Sequence, residues 1–264
     1  MPYNYSVDKR GQKQIFEGIK QGAAFAWQGL NQLVWPAVCI NCREKISETE
    51  KILCKDCWDQ LLFSTSGDYC PRCGRDVSKY ALLEDACPDC RGKKFHFDRI
   101  TRTGVYAEAL RKMILAFKNG RTELDCILNF LANSALQGSR FINNIDFFVP
   151  VPLHWSRRLA RGYNQAFVLA KKLKHPRATV NTDLVRIRRT KTQPLMASPA
   201  ARIRNVAGAF AVRRDHNFTG RNICLVDDIK TTGATLNECT KTLKKAGASK
   251  VFALVLAVAG QNIS

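Results

Sequence analysis

Two adjacent carboxylates, Asp227 and Asp228, followed by a run of small, hydroxyl-bearing residues with one glycine, Thr231-Thr232-Gly233-Ala234-Thr235, are the part of this chain best suited to chemistry. The unbroken apolar residues Ile223 to Val226 before them read as a buried strand, and Leu236 to Lys245 after them as a helix. A strand, a tight loop of small residues and a helix N-terminus together make an anion cradle. Backbone N–H groups point into the loop, the hydroxyls add donors, and the helix dipole favours a phosphate. The aspartates cannot ligate phosphate, because like charges repel. They suit sugar hydroxyls, or a Mg²⁺ beside the phosphate. A phosphorylated sugar therefore fits better than a nucleoside triphosphate, and the G-x-x-x-x-G-K-[ST] pattern of a Walker-type loop does not occur.

A second group lies at Val149-Pro-Val-Pro-Leu-His-Trp-Ser-Arg-Arg-Leu-Ala-Arg161, where Arg157, Arg158 and Arg161 come just after an apolar, strand-length run. Guanidinium groups take phosphate oxygens in bidentate fashion, so three of them suit a diphosphate. The plain alternative is the solvated basic start of a helix.

Eight of the eleven cysteines fall in four C-x-x-C pairs: Cys39 and Cys42, Cys54 and Cys57, Cys70 and Cys73, Cys87 and Cys90. Two residues between cysteines let both thiolates of a knuckle reach one tetrahedral ion, and two knuckles close a Cys₄ site. Four knuckles predict two structural zinc ions, standing in for the core that so small a module would lack. Disulfides of a secreted domain and thioredoxin-type redox pairs are the alternatives. Near-even repetition, with no good signal-peptide pattern, favours zinc and a reducing, cytoplasmic compartment. Sequential pairing (39/42/54/57 and 70/73/87/90) is the expectation, with an interleaved cross-brace as the other arrangement. Cys126, Cys224 and Cys239 fall in helix- or strand-like stretches and default to core packing.

The elements that must position these groups read as follows. Residues 1–35 are an extension with apolar residues at helical spacing from Ile15 to Val34. Residues 36–95 hold the zinc module, and 96–264 a second domain. In that domain Asp98–Tyr106 reads as a strand, Glu108–Lys118 and Glu123–Gln137 as helices separated by Asn119-Gly120, and Asp146–Val151 as a strand. Arg161–Lys174 reads as a helix, and Asn222–Asp228 and Lys250–Val258 as buried strands. Strands alternating with helices predict an α/β fold with a mostly parallel sheet and ligands at the strands' C-terminal ends. Arg186–Phe210 shows no clear period and is rich in basic residues, which suits a lid over a reactive sugar cation. No stretch has eighteen uninterrupted apolar residues, so no membrane span is expected.

Net charge is +20, from 42 basic and 22 acidic residues, and it is concentrated. Residues 157–214 hold 15 basic residues against one acid, Asp183. That exceeds what one small anion needs and leaves room for a nucleic acid.

The stretch 223–235 resembles the phosphoribosyl-diphosphate (PRPP) loop of type I phosphoribosyltransferases. Taken in order, the chain resembles the ComF (ComFC-like) competence family, a double zinc ribbon followed by a type I phosphoribosyltransferase domain. The resemblance is carried by the four cysteine pairs, Val149 to Pro152, Arg161-Gly-Tyr-Asn-Gln165, Thr192-Gln193 with Arg202 and Asn205, Ala209-Phe210, and Val226 to Thr235. It covers roughly residues 35–259. It implies a PRPP site formed by Asp227, Asp228, Lys230, Thr231, Thr232, Gly233, Ala234 and Thr235. The aspartates would hold the ribose hydroxyls and the loop the 5′-phosphate. It implies a diphosphate loop of Val151, Pro152, Leu153, Arg157, Arg158 and Arg161, with Mg²⁺ carried by the ligand, and a flexible loop of Thr192, Gln193, Arg202 and Asn205. It further implies partners in natural transformation: single-stranded DNA and other competence proteins, such as a DNA-translocating helicase. Two function classes follow: a PRPP-binding adaptor in DNA handling, or an active, amidophosphoribosyltransferase-like enzyme of nucleotide metabolism whose acceptor the sequence does not specify.

Overall fold

The computed structural model describes residues 38–46, 52–190 and 198–259. The helix expected between Ile15 and Val34, and Thr192 and Gln193 of the expected flexible loop, lie outside the described residues. The chain divides into two compact units, residues 1–57 and 58–264.

In the first unit the described residues are chiefly the two knuckles around Cys39/Cys42 and Cys54/Cys57. Val38 bridges Lys45 across the first knuckle, and the amide of Cys39 donates to the carbonyl of Glu44 at 2.7 Å. Helix α1 (Lys55–Thr65) starts within the second knuckle.

The second unit holds the other two knuckles, with the short α2 (Pro88–Arg91) in the last of them, and a five-stranded sheet. Its strands are β1 (Arg99–Val105), β2 (Phe147–Pro150), β3 (Thr179–Val180), β6 (Asn222–Lys230) and β7 (Lys250–Val258), in spatial order β1-β7-β6-β2-β3. Every pairing is parallel. The α/β reading and the mostly parallel sheet hold. β7 is buried along its length from Val251 to Val258, as expected of a central strand covered on both faces. Strands β4 (Leu184–Arg186) and β5 (Phe210–Val212) form a separate antiparallel pair.

Helices cover both faces. On one side lie α3 (Glu108–Lys118), α4 (Asp125–Gln137) and, after the short α5 (Trp155–Arg161), α6 (Gln165–Lys171). Of these, α4 packs on β1 and β7, and α6 on β2 and β6. Helices α7 (Pro199–Val206) and α8 (Ala234–Lys245) pack on each other, and α8 also on β5 and β7. The chain leaving β2 thus returns through α6 while the chain leaving the adjacent β6 returns through α8. Where neighbouring parallel strands send their connections apart, their carboxyl ends open a crevice.

Two sequence expectations are revised here. Arg161–Lys174 is not one helix. Gly162 sits in the left-handed region at φ +79° and ends α5, and the side chain of Asn164 accepts from the amide of Ala166 to start α6. The aperiodic stretch Arg186–Phe210 contains α7, which begins with Ser198 accepting from the amide of Ala201 and Pro199 at its first position.

Candidate functional site

The crevice is built where β2 ends beside β6: Val149 lies opposite Leu225 and Pro150 opposite Val226, and β6 runs on for four more residues, to Lys230. The amide of Val151 continues the ladder to the carbonyl of Val226 at 2.9 Å, so the loop after β2 leaves the sheet next to the acidic pair on β6. From β6 come Asp227 and Asp228, both partly buried. The backbone amide of Asp228 donates to Oδ1 of Asp227 at 2.9 Å. Burial, then the charge of Asp228, pushes the Asp227 carboxyl up to about 7, against the pull of Lys118 and Arg186.

Gly233 caps α8 at φ +81°, a conformation L side chains rarely adopt, and a Cβ there would stand 3.3 Å from Lys230 Cε and 3.5 Å from the Phe95 ring. Thr232 Oγ1 accepts from the amide of Ala234 at 3.3 Å, and Thr231 and Thr235 flank it, partly buried. The loop is therefore a glycine-dependent turn that opens directly into the amide end of a three-turn helix. Lys230 is buried, with its ammonium 5.5 Å from the Phe95 ring centroid; burial lowers its pKa to about 8.

The loop after β2 carries the arginines. Arg157 donates to the carbonyl of Thr190, and its pKa is lowered by burial and by the charges of Arg161 and Arg189. Arg161 donates to Gln165 Oε1 at 3.3 Å. Arg158 is partly buried on the same short helix, and Val151, Pro152 and Leu153 form its approach. The motif Arg161-Gly-Tyr-Asn-Gln165 fastens this loop. Asn164 Nδ2 donates to the carbonyl of Val151 at 3.1 Å while its oxygen caps α6, and the Tyr163 hydroxyl donates to the carbonyl of Phe117 at the end of α3. On α7, Arg202 and Asn205 are partly buried.

Sequence reasoning missed two residues here. Arg186 of β4 lies 5.1 Å over the ring of Phe210, donates to Thr190 Oγ1, and is close enough to feel the charges of Asp227 and Arg157. Lys118, the last residue of α3, makes an ion pair with Asp228 Oδ2 at 2.9 Å. Only tertiary folding reveals either; the basic last turn of an amphipathic helix is a common, unspecific signal. A cavity of about 480 Å³ lined by Phe63, Ser64, Asp68, Asp76 and Val105 lies elsewhere and contains none of these residues.

The cysteines gather as two sequential tetrads, Cys39/Cys42/Cys54/Cys57 and Cys70/Cys73/Cys87/Cys90, each with its sulfurs within 4.8 Å of one another. The donor set fits a closed, structural zinc site. Polar groups also point at the sulfurs: Asn41 Nδ2 lies 3.2 Å from Cys57, and the Cys87 amide 3.3 Å from Cys70. Hydrogen bonding from Cys73 pulls the Cys70 thiol down to about 4, against burial. Cys224 and Cys239 are buried as expected, whereas Cys126 is exposed.

The second tetrad is joined to the sheet. The amide of Ile100 donates to the carbonyl of Pro71 at 2.8 Å, the hydroxyls of Tyr69 and Thr101 are 2.7 Å apart, and a Cβ on Gly74 would stand 2.9 Å from Val258. Past the tetrad, Phe95 covers Lys230 and Gly233, and the amide of His96 donates to Asn237 Oδ1 on α8 at 2.9 Å.

Comparison with known proteins agrees with this architecture. Residues 30–91 match the double zinc ribbon domain, and residues 139–263 the phosphoribosyl transferase domain. The chain is 32% identical to Competence protein F of Haemophilus influenzae over 81% of its own length and 93% of the relative's. It is 30% identical to DNA utilization protein YhgH of Salmonella typhimurium, over 83% and 96% of the two chains. It is 27% identical to Competence protein ComFC of Bacillus subtilis, over 80% and 79%. With two cysteine tetrads ahead of a parallel sheet whose β6 carries an acidic pair and runs into a threonine-glycine loop, this chain belongs to the competence protein F (ComFC-like) family.

Proposed function

We propose that this protein binds PRPP in the crevice between β2 and β6 and acts in the handling of single-stranded DNA. The observation that carries the first part is the convergence, at one sheet switch point, of an acidic pair, a glycine-capped helix N-terminus and a cluster of arginines. Asp227 and Asp228 accept from the ribose hydroxyls, and the amides and hydroxyls of Thr231 to Thr235 take the 5′-phosphate. Arg157, Arg158 and Arg161, with Arg186 behind them, face the diphosphate. Any Mg²⁺ would come with the ligand: carboxylates are suitable oxygen donors for it, but Asp228 is already paired with Lys118. The DNA part rests on the net charge of +20, on the basic stretch 157–214, and on the relatives' names, which refer to competence and DNA utilization. Tyr80 and Trp58 are exposed enough to stack on bases, whereas Tyr69 is tied to Thr101 and lies under Arg102.

Crystals soaked with PRPP and Mg²⁺ test the small-molecule half. The 5′-phosphate should sit on the amides of Thr231 to Thr235 with the ribose hydroxyls at the two aspartates. Density on the arginines alone, with the ribose away from the aspartates, would contradict the assignment.

A further inference from the structure

The acidic pair of the crevice has a partner of its own. Lys118 reaches Asp228 from the last turn of α3, and both side chains of the pair are largely shielded, at 20% and 14% exposure. Its position is fixed rather than incidental. Phe117, the preceding residue, is fully buried, its ring lies 5.6 Å from that of Tyr163, and its carbonyl accepts from the Tyr163 hydroxyl. Immediately after Lys118 the helix stops at Asn119 and at Gly120, whose φ is +98°. The residue that ends α3 is thereby held by the same segment, Arg161 to Gln165, that shapes the arginine loop. A cation on the last turn of a helix is also favoured by the helix dipole.

Two neighbouring carboxylates attract a cation, and in a site for a phosphorylated sugar that cation is usually a divalent metal ion. Here a lysine stands at one of them. An ammonium has three donors, and the bond to Asp228 takes one. The others can meet hydroxyl and phosphate oxygens brought in by a ligand. We propose that Lys118 is a ligand-binding residue of the sugar-phosphate site, the fixed counter-ion of the Asp227–Asp228 pair, and that it supplies there the positive charge a divalent ion would otherwise bring. This rests on the PRPP reading of the crevice and adds to it that binding of the ligand is largely independent of Mg²⁺.

The test is calorimetry of PRPP with the full chain, in EDTA and in excess Mg²⁺, for the wild type, Lys118→Met and Lys118→Arg. The wild type should bind with similar affinity in both. Lys118→Met should lose roughly tenfold or more in EDTA, as expected when one charge-assisted hydrogen bond is removed, and recover most of it when Mg²⁺ is added. Lys118→Arg should stay near the wild type in both. Recovery by Mg²⁺ separates a missing charge from a damaged fold, which Mg²⁺ would not repair. A Lys118→Met protein that binds like the wild type in EDTA, or is weakened equally with and without Mg²⁺, overturns the role of Lys118 alone, as does a wild type that binds only with Mg²⁺. A wild type that binds PRPP in neither condition overturns the PRPP reading and this proposal with it.

Discussion

Asp227, proposed to hold a ribose hydroxyl, is also a cost to stability. Its ordinary pKa is 3.8 and its folded one about 7, raised first by burial and next by Asp228. Lys118 on α3 and Arg186 on β4 pull it down, the backbone of Asp228 does the same, and Cys239 faces it from α8. Because the native state holds this proton more tightly than the unfolded chain, the group favours folding fully below its unfolded pKa. That contribution is lost as the pH rises through about 7. Asp227→Asn should therefore raise the thermal unfolding midpoint at about pH 8, with the gain shrinking as the pH falls toward about 4. The matching midpoints of wild type and variant across that range are the measurement. A variant less stable than the wild type at the alkaline end would mean that Asp227 is well compensated in the free protein. Asp227→Asn would then stabilise the fold while removing the proposed ligand contact, the trade expected of a group retained for binding.

At the scale of elements, the second cysteine tetrad belongs with the sheet, since Pro71 and Tyr69 bond to β1 and Phe95 lies over Lys230 and Gly233. Cys70→Ser with Cys73→Ser should lower the bound zinc by one per chain, lower the unfolding midpoint of the 58–264 unit, and weaken PRPP binding. Cys39→Ser with Cys42→Ser should cost the same zinc and leave PRPP binding in place. Elemental analysis, thermal melts and calorimetry on both pairs decide it; equal PRPP affinity in the two would show that the ribbon does not support the loop. Much of this organisation was legible in sequence. Glu108–Lys118 stands out because its apolar residues form a stripe closed by Asn119-Gly120, and β6 because four apolar residues run into two aspartates. The break at Gly162 was hidden, because a glycine inside a helical pattern reads as tolerated until Tyr163 and Asn164 are seen bonding elsewhere. The pair β4–β5 was hidden as well, its strands being three residues each with 23 residues between them. Lys118 and Arg186 were illegible for a deeper reason: nothing local marks a lysine that meets an aspartate 110 positions away in sequence.

At the scale of the molecule, charge dominates. The surplus of +20 sits mostly in the second half of the chain, and several of its members are exposed, among them Arg189, Arg204 and Arg214. Arg186 and Arg188 are poor probes of it, because Arg186 is held over Phe210 and Arg188 donates to the carbonyls of Asn205 and Ala207. Single-stranded DNA should bind without sequence preference and weaken steeply with salt, since each neutralised phosphate releases a counterion. Arg189→Glu, Arg204→Glu and Arg214→Glu together should flatten that slope in fluorescence anisotropy. No association at low salt with an oligonucleotide of about 20–30 nucleotides, longer than a single site, would remove the DNA half of the proposal. Among the described residues no helix is long and apolar enough to cross a membrane.

PRPP binding by the acidic pair and the loop after it is what the proposed function rests on. Calorimetry of Mg²⁺-PRPP against the wild type and against Asp227→Asn with Asp228→Asn decides it. Two charged hydrogen bonds to the ribose, about 1.5–3 kcal/mol each, are lost in the variant. Saturable binding by the wild type, weakened well over tenfold in a variant that melts cooperatively, is the predicted result. Unchanged affinity in the variant, or no binding by the wild type, would contradict it.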